Sequence, residues 1–148
     1  MTAGVIAPVP DPDAAPWWEA LARHELLVQA CAPCGHLRWP ARAICGRCGS
    51  LDWRWQPASG RAHVASWVVN RHPFVPGFTT PYVVVAARLE EQADLFVPGG
   101  YAGPGDGGGL SIGLEVTAEF EDVVDEHGQA FSLIAWRPVE DGAMTGVR

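Results

Sequence analysis

Residues 31–49 read CAPCGHLRWPARAICGRCG, in which four cysteines fall as C-x2-C-x10-C-x2-C and each pair is followed by a glycine. The chain holds no other cysteine. A C-x2-C pair on a tight turn aims two sulfurs at one point, and a second pair a short hairpin away completes a tetrahedral four-sulfur cage for zinc. Gly35 and Gly49 fit that reading, because the residue just past each knuckle often needs positive φ, which glycine adopts without a Cβ clash. Cys31, Cys34, Cys45 and Cys48 are therefore the expected metal ligands. With four thiolates and no open position for water, the ion is expected to be structural and not catalytic. His36, beside the first knuckle, is then a bystander.

Competing cysteine chemistries fit less well. A thioredoxin-type centre uses a single C-x-x-C at the start of a helix in a βαβ setting, whereas these two pairs lie in loop-like sequence. Disulfides need an export signal, and Met1 to Pro8 lacks the basic start of one. A rubredoxin-like iron site has the same ligands and similar spacing, so the spacing admits iron as well as zinc. Zinc is preferred because nothing else in the sequence suggests electron transfer. With no apolar run near the ~18 residues of a membrane span, no membrane partner is expected. A reducing cytoplasm is the expected home.

Composition narrows the function further. The net charge of −7 is uneven: residues 1–60 carry five Arg against five acids, while residues 61–148 carry five Arg against twelve. An acidic body is a poor counterpart for phosphate backbones, so no nucleic-acid partner is expected. All ten basic residues are arginine. That removes a lysine Schiff base, a lysine nucleophile and a P-loop lysine from this chain's own chemistry.

Working outward from the knuckles, the sequence predicts a mainly β protein. Residues 1–12, with three prolines, read as an extended arm. Asp13 or a neighbour can cap a short helix with Pro16 in its first turn. Trp17, Leu21 and His24 recur at helical spacing, with Trp18 beside them. Two adjacent tryptophans cannot both face one narrow core, so one is a candidate anchor for a partner. Leu26, Val28 and Ala30 alternate into a strand that leads to the first knuckle, and Trp53, Trp55 and Pro57 form a strand that leaves the second. Ser59 and Gly60 mark a turn, placing the expected boundary between an arm, helix and ribbon over 1–58 and a β domain over 59–148.

The second part reads as five or so strands. Residues 61–71 are apolar on both faces, as in a barrel strand, and 82–89 present Val83, Val85, Ala87 and Leu89 on one face. The loop HPFVPGFTTP, 72–81, is either self-packed or a contact surface. Leu95 to Val97 offers a short strand, and the glycine-rich PGGYAGPGDGGG, 98–109, reads as a flexible hairpin connection and not a phosphate cradle. Leu114, Val116, Ala118 and Phe120 alternate with charged or polar residues. A turn at His127 and Gly128 then reverses the chain into Phe131 to Trp136.

No catalytic constellation emerges. The acid pairs Glu90–Glu91, Glu121–Asp122 and Asp125–Glu126 are neighbours, and neighbours on a strand point to opposite faces. Among the histidines only His72, in the aromatic loop, is a candidate for function. No catalytic residue and no cofactor-binding residue beyond the metal ligands is assigned.

Two CxxCG knuckles, preceded by a WWEAL helix and followed by W-x-x-x-S-G and a small all-β domain, resemble the DUF35 family of acyl-CoA-associated OB-fold proteins with a rubredoxin-like zinc ribbon. The resemblance runs from about Trp17 to Pro138. It rests on the cysteines with Gly35 and Gly49, on Pro40, Arg42, Trp55, Ser59 and Gly60, on Pro81 and Tyr82, and on Ile112 and Gly113 before VTAEFED. The chain departs from the family's usual form in its glycine-rich loop and in Trp39-Pro40-Ala41-Arg42, where a Pro-Pro-Arg run is common.

The resemblance implies a five-stranded OB-fold barrel after the helix and ribbon. It also implies a hetero-oligomeric, non-catalytic accessory subunit of a thiolase-superfamily enzyme, a lipid-transfer-protein-like thiolase or aldolase, acting on acyl-CoA in lipid or steroid side-chain degradation. Contact with the acyl-CoA itself follows from the same likeness. Two other readings stand beside it. One is a stand-alone acyl-CoA-binding module. The other is a single-stranded nucleic-acid module, since OB grooves stack bases on aromatic side chains.

Overall fold

The structure is a computed structural model that describes residues 5–74 and 77–140. Among the described residues, a single short helix, α1 (Ala15–Ala22), precedes eight strands. No side chain caps it at Ala14; the Asp11 carboxylate accepts the Ala14 N–H at 2.7 Å in the turn before the helix, and Pro16 sits in the first turn as expected. The helix ends in a Schellman turn, with the Glu25 N–H donating to the Ala20 carbonyl at 2.9 Å and the His24 N–H to Leu21 at 2.8 Å. His24 occupies the left-handed position at φ 58, where glycine is usual.

Strands β1 (Leu27–Cys31), β2 (Leu37–Arg38) and β3 (Trp53–Pro57) make an antiparallel sheet in the order β2-β1-β3. Alternation along β1 decides its faces. Val28 and Ala30 enter the main hydrophobic core, while Gln29, also fully buried, turns the other way into a polar clamp. Its carbonyl oxygen accepts from the Arg38 Nε and from the Arg42 backbone N–H, each at 2.8 Å, and Arg38 donates to the Arg42 carbonyl at 2.8 Å. The clamp fixes the 39–42 turn.

Strands β4 (Arg61–Asn70), β5 (Tyr82–Leu89), β6 (Phe96–Tyr101), β7 (Glu115–Val124) and β8 (Ala130–Pro138) close into a barrel in the order β4-β5-β6-β8-β7. This is the expected mainly β architecture of helix, ribbon and five-stranded barrel. Val83, Val85, Ala87 and Leu89 all point inward, as their alternation predicts. One core runs through helix, ribbon and barrel, from Trp17, Leu21, Val28 and Leu37 to Val85, Val116 and Trp136. Gln92, in the β5–β6 turn, ties the ribbon to the barrel: it accepts the Leu37 N–H at 2.9 Å and donates to the Leu37 carbonyl at 2.7 Å.

Three details differ from the sequence expectation. The arm is not free: Val5 and Ala7 are buried in a second cluster with Val123 and Phe131. Residues 98–101 belong to β6 and not to the glycine-rich loop, because a Cβ at Gly99 would stand 2.8 Å from the Ile134 carbonyl oxygen, so only glycine lets β6 approach β8 so closely. The segment after it is no hairpin connection either, since β6 pairs with β5 and β8 while β7 pairs with β4 and β8. Its glycines serve close packing: the Tyr101 hydroxyl reaches back to the Gly108 carbonyl at 2.9 Å, and a Cβ at Gly105 would meet the Pro81 oxygen at 2.8 Å.

Candidate metal centre and aromatic groove

The two knuckles are built alike. In each, the glycine N–H returns to the carbonyl of the first cysteine, Gly35 to Cys31 and Gly49 to Cys45, both at 2.8 Å. Both glycines have positive φ, 72 and 77, as the sequence reading requires. The result brings Cys31, Cys34, Cys45 and Cys48 together with all four sulfurs within 4.8 Å of one another. Cys31 and Cys48 Sγ are 3.5 Å apart, and Cys34 and Cys45 Sγ are 3.7 Å apart. A tetrahedral site with Zn–S bonds of about 2.3 Å has S–S edges of about 3.8 Å, so the donor set fits one such ion.

The electrostatics agree. The Cys45 thiol is lowered to about 6, chiefly by the Cys48 backbone N–H and then that of Arg47. The Cys31 thiol, although the Cys34 backbone N–H favours its ionised form, is pushed up to about 12 by burial and the neighbouring thiols. Four sulfurs this close cannot all ionise unless a cation offsets them, and a divalent ion does so. Cys31 and Cys45 are buried, whereas Cys34 and Cys48 face outward. His36 stands outside the cluster, its Nε2 3.8 Å from an Asp94 oxygen.

The other sequence candidate, His72, is exposed and packs edge-on against Phe74 at 4.8 Å. The aromatic loop divides between its two readings. Phe78 packs against Tyr82 at 5.0 Å and against the arm's cluster, while Phe74 is 72% exposed. Val75 and Pro76 lie outside the described residues.

A feature that single-residue reading missed is a groove of about 540 Å³ where helix, ribbon and barrel meet. Trp17, Trp18 and Leu21 come from α1, and Trp39 from the clamped turn. Phe78, Pro81, Tyr82 and Val84 form a second wall, with Gly99, Gly100 and Tyr101 of β6 and Leu133 and Ile134 of β8. Trp17 and Trp39 lie 5.6 Å apart at an interplanar angle of 59°. Trp17 is buried and Trp18 half-buried, so both neighbouring tryptophans serve one groove from its inner and outer parts. Among the described residues, Glu121 is its single charged lining residue. The sequence signal was the tryptophan content; the convergence needed the fold.

The helix is pinned beside this groove. The His24 ring stacks on Phe120 at 5.3 Å, and its Nε2 lies 2.9 Å from Asp122 Oδ1, which also accepts the Ser132 hydroxyl at 2.6 Å. These bonds hold the Asp122 carboxyl below the usual carboxylate range, the Ser132 hydroxyl contributing most and His24 next. Serine and histidine both address the same carboxylate oxygen, so this is a tether and not a nucleophile–base relay.

Two family models match the chain in succession. The family described as ChsH2, rubredoxin-like zinc ribbon domain, matches residues 18–54, and the one described as ChsH2, C-terminal OB-fold domain, matches residues 55–121. A solved structure titled "Ltp2-ChsH2(DUF35) aldolase" superposes with a TM-score of 0.77 at 32% identity, covering 89% of this chain and 98% of that one. A Sulfolobus solfataricus DUF35 protein of unknown function shares the fold, with a TM-score of 0.59 at 13% identity and 86% coverage of both chains.

Among curated proteins, the 3-oxo-4,17-pregnadiene-20-carboxyl-CoA hydratase alpha subunit of Mycobacterium tuberculosis is 34% identical over 86% of this chain. A probable enoyl-CoA hydratase alpha subunit of Thermomonospora curvata is 42% identical over 56% of it. The chain spans 38% and 26% of the length of these two relatives. Its helix, four-cysteine ribbon and five-stranded barrel belong to the ChsH2 group of the DUF35 family.

Proposed function

We infer that this chain is a non-catalytic subunit that binds a thiolase-superfamily enzyme and supports its carbon–carbon cleavage or transfer on an acyl-CoA, within steroid or lipid side-chain degradation. The observation that carries this reading is the 98% coverage of a chain from a structure titled as an Ltp2–ChsH2 aldolase, at 32% identity. The acyl-CoA names of both curated relatives point the same way. In this reading the chain contributes surface, and the reacting atoms sit on the partner.

The ion held by Cys31, Cys34, Cys45 and Cys48 is zinc in this proposal, supported by the zinc-ribbon family match, and the S–S edges fit a tetrahedral four-sulfur site. Zinc here supplies folding energy and no reaction step. The proposal also divides the chain into 1–58 and 59–148, with Gly60 at φ 80 turning β3 into β4.

Co-expression with a thiolase-like enzyme tests the reading. The two are expected to co-purify as a hetero-oligomer, with carbon–carbon cleavage of an acyl-CoA requiring both. Acyl-CoA turnover by this chain alone contradicts it.

A further inference from the structure

We propose that the aromatic groove binds the apolar acyl body of the thioester, a rigid fused-ring skeleton carrying a hydroxyl, and leaves the CoA nucleotide to the partner enzyme. The proposal rests on the acyl-CoA reading above and adds which part of the ligand this chain takes and where. Size is the first argument: about 540 Å³ lies within the range of roughly 300–1,000 Å³ typical of small-molecule sites, which favour the seams between structural units. Here the seam joins helix, ribbon and barrel.

Charge is the second. Among the described residues, Glu121 is the one charged residue in the lining and has no ion-pair partner. A groove with a carboxylate and no cation repels a phosphate-bearing nucleotide. It suits an uncharged body with a hydroxyl to donate to that carboxylate.

Preorganisation is the third. Planar walls from Trp18 and Trp39 suit a flat ring system, and their supports are fixed before a ligand arrives. The Gln29–Arg38 clamp sets the turn that carries Trp39, and His24 sets the end of the helix that carries Trp18. A long flexible acyl chain gains less from such rigid flat walls than a fused-ring system does.

The test uses the full metal-loaded chain, with testosterone as a hydroxylated four-ring probe, androstenedione as its ketone counterpart and CoA lacking an acyl group. Calorimetric titration is expected to show binding of both steroids and none of CoA. Val84→Arg places a cation at the partly exposed groove wall and is expected to weaken steroid binding by at least about tenfold, while thermal unfolding confirms that the fold is kept. Glu121→Gln is expected to weaken testosterone severalfold and leave androstenedione unchanged.

The proposal is overturned if wild-type chain binds neither steroid, or if Val84→Arg binds them equally well. Co-purification with the thiolase-like enzyme is followed in parallel. A wild-type chain that joins the enzyme but binds no steroid overturns the groove assignment and leaves the subunit reading standing. Loss of the complex in Val84→Arg, without steroid binding by wild type, assigns the groove to a protein segment instead.

Discussion

His24 reaches the Asp122 carboxylate at 2.9 Å from a left-handed backbone position, φ 58, so a strained residue at the end of α1 is held by a contact to β7. The side chain offsets a backbone preference that belongs to glycine. His24→Ala is expected to lose the tether and keep the strain, whereas His24→Gly loses the tether and relieves the strain. The alanine variant should therefore be less stable than the glycine variant by about 1 kcal/mol in urea unfolding.

Acid should loosen the same tether. The Asp122 carboxyl is lowered in the folded state, mainly by the Ser132 hydroxyl and next by His24, so its contribution is fully present above the unfolded value of about 3.9. It is lost as pH falls from there through the lowered folded value. Ser132→Ala should shrink the stability difference between pH 5 and pH 3, measured by denaturant titration. The change is expected to be small because Asp122 is largely exposed.

Gly99 is expected to tolerate no side chain. A Cβ there would lie 2.8 Å from the Ile134 oxygen and 2.9 Å from Trp136 Nε1, inside a packed barrel. Gly99→Ala should cost about 1–3 kcal/mol by forcing β6 away from β8, with a shift in tryptophan fluorescence from Trp136. Gly100→Ala, whose added atom meets nothing closer than 3.8 Å, serves as the control.

Removing the metal should unfold the ribbon. Folding free energy on the order of 10 kcal/mol is bound up with such sites, so Cys45→Ser or strong chelation is expected to give an insoluble or partly unfolded chain. Elemental analysis together with circular dichroism checks this. A soluble, native-like Cys45→Ser protein contradicts a structural role for the ion.

The ribbon was legible because its signal is local: the cysteine spacing and the one glycine that follows it specify each knuckle without reference to the rest of the chain. Strand β5 was legible for a similar reason, since alternation over 82–89 needs only one buried face. Strand β7 was only half legible. Its inward residues change parity, from Val116 near the start to Val123 near the end, as the strand passes from the main core to the arm's cluster. The end of β6 was hidden because glycine and proline usually mark turns, and the close approach to Ile134 that requires Gly99 lies 35 positions away in the chain. The groove was hidden for the same reason: Trp18, Trp39, Tyr82 and Ile134 are distant in sequence and meet only when the barrel closes.

The most direct measurement is an acyl-CoA cleavage assay on this chain alone, on a thiolase-like enzyme alone, and on the two combined at equal concentration. The account predicts turnover only in the mixture, with both polypeptides eluting together in size-exclusion chromatography. Turnover by this chain without the enzyme, or full activity of the enzyme without this chain, contradicts it.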